Sequence, residues 1–226
     1  MASNELLNKA HPLKAMLALT IPSMFAQFVN ILYGVVDKLF IANMQSGSGL
    51  ALAGVGICAP ITTLITSFTY LICQGASPLF ATRLGQKDYD DAKKIMANSF
   101  LLLVIITVVL MLVFLIFKKP LLYSFGATPN NFEYASDYIT IYVLGTFFCL
   151  MSLGLNSFIT CQGKSTRAMV TVIIGALTNI LLDYIFIFPF NMGVKGAALA
   201  TIIAQAASAL FAFSFLISNK SIIKMS

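Results

Sequence analysis

The sequence predicts an all-α integral membrane protein, a bundle of six transmembrane helices, and three observations carry that prediction. The chain has 226 residues, of which 59% are hydrophobic and only 10% charged. A soluble domain carries about 25% charged residues, so this chain has too few to cover a water-facing surface. Its mean hydropathy is +0.91. Apolar windows long enough to cross a bilayer, about 20 residues each, recur six times along the chain. Finally, Lys and Arg gather in alternate breaks between those windows, where topology signals belong.

The windows lie near residues 15–42, 50–80, 95–117, 138–161, 169–188 and 194–217, forming one six-span unit over residues 1–226. The first follows the polar "MASNELLNKAHPLK" and is too long for a signal-peptide core, so it reads as a retained span. The first two windows are long and hold Pro22 and Pro60, which predicts tilt or bending there. Short breaks separate the windows: "NMQSGSG", "TRLGQKDYDDAKK", "KKPLLYSFGATPNNFE", "QGKSTRA" and "PFNMGVKG". In the sixth window Ala200, Ala204, Ser208 and Ala212 repeat every four residues. Small residues at that spacing let helices approach closely, so the row reads as packing.

The basic residues orient the bundle. The amino terminus, the second and fourth breaks and the carboxyl tail hold Lys9, Lys14, Arg83, Lys87, Lys93, Lys94, Lys164, Arg167, Lys220 and Lys224. The opposite side holds Lys118, Lys119 and Lys195, and Lys38 falls within the first window. Ten against three places both termini in the cytoplasm, as an even number of spans requires.

Several function classes lack raw material. The net charge of +6 lies between apolar runs rather than on a basic face, so nucleic acid is not an expected partner. The four cysteines, Cys58, Cys73, Cys149 and Cys161, form no CxxC pair and read as small buried hydrophobes. The single His11 has no companion for a metal site. "GKST" at 163–166 lacks the first glycine of a phosphate loop, since position 158 is Phe158, and "GVG" at 54–56 lacks the third glycine of a dinucleotide fingerprint. Hydrolytic or metal-based catalysis is therefore not expected; the chain does not read as an enzyme and needs no cofactor.

Two acids stand inside the spans, Asp37 and Asp183; Glu5, Asp88, Asp90, Asp91 and Glu133 lie outside, and Asp137 opens the fourth. A carboxylate at such depth costs a few kcal/mol, roughly 2.5–3.5 on insertion scales. With a rise of about 1.5 Å per residue, Asp37, Asp183 and Thr201 all fall roughly 7–11 Å below the outer ends of their helices. Asn179 lies one turn below Asp183 on the same face, and Tyr33 stands likewise to Asp37, with Asn30 one further turn down. Two carboxylates, an amide, a hydroxyl and a phenol at one level can bind a proton or a small cation. Desolvation and a nearby cation move a carboxyl's affinity for protons in opposite directions, so ion occupancy and protonation become linked. Lys38, one residue on, points about 100° away from Asp37 and can snorkel outward. The bland alternative is that these groups, or an Asp37–Lys38 pair, merely hold the bundle together.

The segments "IPSMFAQFVNILYGVVDKLFIANM", "GLALAGVGICAPI", "PLFATRLGQKDYDDAKKIM", "QGKSTRAMV" and "NILLDYIFIF…MGVKGAALATIIAQ" together resemble the amino-terminal lobe of the multidrug and toxic compound extrusion (MATE) transporters. The similarity extends over nearly the whole chain, and Asn-x-x-x-Asp in the fifth span with Thr in the sixth is its most specific part. The resemblance implies one six-helix lobe of a twelve-helix transporter that exports organic, often cationic and amphipathic compounds by antiport. It implies that Asp37, Asn179, Asp183 and Thr201 bind the coupling proton or sodium ion, and that Tyr33 and Asn30 line the cavity. Lys38 directly after the first-helix acid is atypical of the pattern. A second six-helix lobe is then an expected partner, either a missing carboxyl half or another copy, since parallel repeats share orientation. The chain stops just after its last span, which favours the missing half. The lipid bilayer of the cell membrane is the expected surroundings. The rival readings are an inert or regulatory truncated membrane fragment and a lipid-linked flippase of related architecture. The flippase would call for an intramembrane Arg, which the spans lack.

Overall fold

A computed structural model describes residues 12–44, 47–218 and 221–223. Glu5, Lys9, His11, Lys220 and Lys224, and Gln45 and Ser46 of the first break, lie outside the described residues. The described residues form eight helices: α1 (Pro12–Ala42), α2 (Ser48–Gly85), α3 (Tyr89–Ile116), α4 (Lys118–Ser124), α5 (Phe132–Leu144), α6 (Thr146–Cys161), α7 (Ser165–Ile187) and α8 (Gly193–Ile217). Helices suit the setting because each satisfies its backbone groups internally where water is absent. Below, the face carrying the α2–α3 and α6–α7 connections is called inner, and the opposite face outer.

The structure departs from the sequence expectation in two places. Pro22, Pro60 and Pro78 sit inside continuous helices. A sharp break falls in the fourth window, where α5 and α6 meet at Gly145 with a bend of 54°. A Cβ at Gly145 would land on the Ile202 side chain of α8, so only glycine permits that approach. Among the described residues five helices are long and apolar enough to span a membrane, and there are six spans if the bent α5–α6 pair counts as one. The second departure is α4, which occupies the outer connection that the sequence leaves without an element. Lys118 Nζ donates to Thr140 Oγ1 (3.0 Å) and Tyr123 stacks on Phe132 at 5.0 Å, fixing α4 against α5.

Small residues set the closest contacts. Ala200, Ala204, Ser208 and Ala212 are all buried. A Cβ at Gly175 of α7 would collide with Ser208 Oγ, which donates to the Thr171 carbonyl at 3.0 Å. The row expected to pack does so, against α7. Likewise a Cβ at Gly54 of α2 would come within 3.0 Å of the Ala135 nitrogen, and Cys58 Sγ donates to the Ala135 carbonyl (3.3 Å). Cys58, Cys73 and Cys149 are buried and all four cysteines are free. Leu101, Leu112 and Ile116 of α3 face outward, more than half exposed, as a lipid-facing side requires.

The connections are pinned by polar contacts. On the inner face the Asp88 side chain accepts from the Asp91 amide (3.2 Å), capping α3. On the outer face Lys195 Nζ pairs with Asp137 at 3.2 Å, joining α8 to α5. Gln162, at the inner end of α6, accepts through Oε1 from Ser221 Oγ and from the amides of Ile222 and Ile223 at 2.8–3.1 Å. That anchors the segment after α8 beside the α6–α7 turn.

Candidate cation site

Asn179 and Asp183 stand one turn apart on α7, and both are buried, Asp183 completely. The reason is local: their helix face is the one that α1 and α8 cover. Across from them, Thr201 on α8 accepts from Asn179 Nδ2 at 3.4 Å and donates its own proton to the Ala197 carbonyl at 3.0 Å. With the amide nitrogen committed, Asn179 Oδ1 is left buried with no donor among the described residues. Both carboxyl oxygens of Asp183 and one of Asp37 are in the same condition.

Asp37 reaches the site from α1, which packs chiefly along α7, and its carboxyl interacts electrostatically with that of Asp183. Three residues outward, Phe40 sits against Phe188 (5.8 Å between ring centroids) and Tyr184 (6.5 Å). This aromatic cluster lies outward of the acid pair along α1 and α7. Lys38 is exposed, and among the described residues no ion pair joins it to Asp37. Lys38 nevertheless lies within electrostatic reach of Asp37.

Of the six residues that the sequence singles out, four share one cavity. Asn30, Tyr33, Asn179 and Thr201 line a space of about 410 Å³ between α1, α6, α7 and α8. Asp37 and Asp183 do not line it; each lies one turn further outward along the helix from Tyr33 or Asn179. Asn179 therefore bridges the cavity and the acids.

The structure adds residues that the sequence does not single out. Gln205, one turn after Thr201, lines the same cavity and faces the Tyr33 hydroxyl. Tyr138 and Tyr142 of α5 stack on each other at 6.2 Å, and Tyr138 lies within electrostatic reach of Asp37. The i, i+4 spacing of each pair is a signal available in the sequence. Their common neighbour is not.

The donor set is made of hard oxygens: two carboxyls, an amide carbonyl and a hydroxyl. Such a set suits a proton or a hard cation such as sodium, and not a soft metal. Among the described residues no cluster of His, Cys, Asp or Glu could hold a transition metal. A buried acceptor without a donor is costly. Here a carboxyl that carries its own proton, or shares a cation, removes that cost.

A family model, MatE, matches residues 22–185. The chain belongs to the MATE transporter family. It is 25% identical over 217 residues to the Multidrug export protein MepA of Staphylococcus aureus (strain bovine RF122 / ET3-1), covering 96% of this chain and 48% of that protein. To MepA of Staphylococcus haemolyticus (strain JCSC1435) it is 27% identical over 198 residues, covering 88% and 43%. Its structure is similar to that of a multidrug resistance MATE family transporter of the MOP superfamily in the outward-facing conformation, with a TM-score of 0.91 and 28% identity over 100% of this chain and 49% of that one. The chain thus spans about half the length of the curated relatives it matches, and its fold is that of one MATE lobe.

Proposed function

We propose that this chain is the amino-terminal lobe of a cation-coupled antiporter, which exchanges protons or sodium for organic, often cationic, drugs or toxic compounds. Its place is the cell membrane, with both termini in the cytoplasm, and a second six-helix lobe completes it. Asp37, Asn179, Asp183 and Thr201 bind the coupling cation, and Tyr33 and Asn30 line the cavity inward of it. The observation that carries this reading is Asp183: a fully buried carboxyl with neither oxygen partnered among the described residues. A role limited to holding helices together accounts for the Asn179–Thr201 bond but leaves that carboxyl unexplained, since structural polar groups are hydrogen-bonded when buried. Proton or ion occupancy at Asp183 then drives a conformational change to the extent that the two transport states bind it with different affinity.

The test is thermal melting in detergent, with and without sodium and across pH 5–8, on the lobe joined to a partner lobe. Sodium or pH must shift the melting temperature of the wild type. A flat response in both titrations overturns the assignment. The lobe alone should give little ion-dependent dye efflux, because an alternating-access cavity needs an opposing wall. Single cysteines introduced at Gln86 and Asn130, in a cysteine-free background, should label from opposite sides of the membrane, with Gln86 facing the cytoplasm.

A further inference from the structure

Helices α3 and α7 both begin on the inner face, and their first turns differ. The Asp88 side chain caps α3, and Asp90 and Asp91 follow in its first turn. Arg83 and Lys94 pair with Asp88 and Asp91 at 3.1–3.9 Å. The positive end of that helix therefore carries its own anions. α7 follows the "QGK" turn with no side-chain cap and no acid in its first turn. Among the described residues the amides of Ser165 and Thr166 find no acceptor, and Lys164 and Arg167 no acid partner.

Two side chains of this turn are almost fully buried with a polar atom unmatched among the described residues. Ser165, 2% exposed, leaves its Oγ without a partner, and Gln162, 1% exposed, its Nε2. Gln162 is fixed in orientation, because its Oε1 already accepts from Ser221, Ile222 and Ile223. Buried polar groups in native folds are hydrogen-bonded, and what stands unmatched here can donate throughout: two amides, a hydroxyl, a carboxamide nitrogen and two cations. Space adjoins the turn, since Ser165 lies in the wall of a cavity of about 1210 Å³ between α1, α2, α6 and α7. Thr160 and Ser77 add hydroxyls to that wall, and among the described residues no acid lines it.

We propose that the α6–α7 turn, from Gln162 to Arg167, binds a phosphate group, carried by a lipid headgroup of the inner leaflet or by soluble phosphate. A phosphate accepts several donors at once, and helix amino-terminal amides are recurrent ligands for it. Basic pockets between helices at a membrane surface hold lipid headgroups by the same chemistry. "GKST" at 163–166 lacks the first glycine of a nucleotide loop, yet its Lys and hydroxyls are the residue types that such a loop turns toward phosphate. A topology signal needs only the charges of Lys164 and Arg167, and gives Ser165 and Gln162 no role. The site is separate from the acid pair: Asp183 stands roughly 27 Å further along α7 by helix rise.

The test follows the melting temperature of the whole chain in an uncharged maltoside detergent, in potassium salts at fixed pH. One arm adds dioctanoyl phosphatidylglycerol against dioctanoyl glycerol, and the other potassium phosphate against potassium chloride at equal ionic strength. A saturable rise is expected. The lipid alone producing it assigns a headgroup, and inorganic phosphate alone assigns a soluble ligand. Ser165→Ala, which leaves every charge in place, should raise the midpoint roughly tenfold, as for one lost hydrogen bond to a charged acceptor. Lys164→Gln with Arg167→Gln should abolish the rise, and Lys87→Gln with Lys93→Gln, at the other inner connection, should leave the midpoint unchanged. Should Ser165→Ala fail to fold, Thr166→Asp at an exposed position supplies an anion to the same turn. It should melt at least as high as the wild type and lose the response. No saturable rise in either arm, an equal rise with the phosphate-free control, or a midpoint unmoved by these turn variants overturns the site. So does one moved as far by the Lys87 and Lys93 pair, which would mean diffuse attraction to a basic face.

Discussion

The polar residues of α2 and α3 and those of α1, α7 and α8 solve the same problem in opposite ways. In α2, Thr62, Thr63, Thr66 and Ser67 donate to carbonyls three or four residues back in their own helix, and in α3 Ser99 and Thr107 do likewise. Each is satisfied without help from a neighbour. A hydroxyl in a helix can do this, so its presence in hydrocarbon does not by itself imply a function. A carboxyl cannot, because when ionised it only accepts and every carbonyl of its own helix is an acceptor too. Asp183 and Asp37 depend on what other helices or the solvent bring, and across the α1–α7 contact each meets another carboxyl. The contrast separates polar groups that a membrane helix tolerates from those that need a proton or a cation.

The sharpest break of that contrast is Asp183→Asn. It should abolish both the sodium and the pH dependence of the melt, and reduce ion-coupled export by the assembled transporter to background. A ligand at a hundredfold its Kd stabilises by about 2.7 kcal/mol, and that increment is what the variant should lose, while inserting into the membrane as well as the wild type. Asp37→Asn should behave likewise. If Asp183→Asn instead melts lower in an ion-independent way, the carboxyl belongs with the structural group.

A smaller effect is expected where the fold rather than the ion is touched. Gly145→Val drives a side chain into Ile202, next to Thr201, and overpacking of this kind costs about 1–3 kcal/mol. Ile202→Ala should recover part of the loss in the double variant, and a denaturation series on the four proteins measures the coupling. Full additivity would show that the two residues do not meet.

Removing one ligand should weaken binding without ending it. Asn179→Ala and Thr201→Ala should raise the sodium concentration for half-maximal stabilisation roughly 5–50-fold, the equivalent of about 1–2 kcal/mol for one lost polar contact. The smallest effect belongs to the self-satisfied group. Thr63→Val should change stability by less than about 0.5 kcal/mol and leave the sodium midpoint where it was. A shift of that midpoint would blur the distinction between the two regions.

Much of the candidate site is legible in the amino-acid sequence. Counting residues from the end of a span measures height because helix rise is constant, which puts Asp37 and Asp183 at one level, whereas Thr201 meets Asn179 one turn further in. Asn179 under Asp183 and Tyr33 under Asp37 follow from the helical repeat. The break at Gly145 is not legible, because the rules point to proline. Pro22, Pro60 and Pro78 all ride inside continuous helices while a glycine bends the chain by 54°. The Ile202 side chain of a different helix leaves no room for a Cβ there, a contact that nothing near residue 145 announces. Tyr138 and Tyr142 escape for the same reason.

What the sequence determined by itself is everything that depends on one helix and the bilayer. Apolar length sets where the chain can cross, the exclusion of water forces each crossing to be helical, and the rise per residue sets the depth of every acid. What only the tertiary structure decided is which faces meet. It put Asp37 within electrostatic reach of Asp183, left Asn179 at the wall of a cavity one turn from Asp183, and placed Asn30 and Asn156 in the walls of two cavities. Those outcomes depend on how each helix is rotated and how closely small residues such as Gly175, Ser208 and Gly54 let it approach its neighbours. Rotation and approach are properties of pairs of helices, and no period within one helix encodes them.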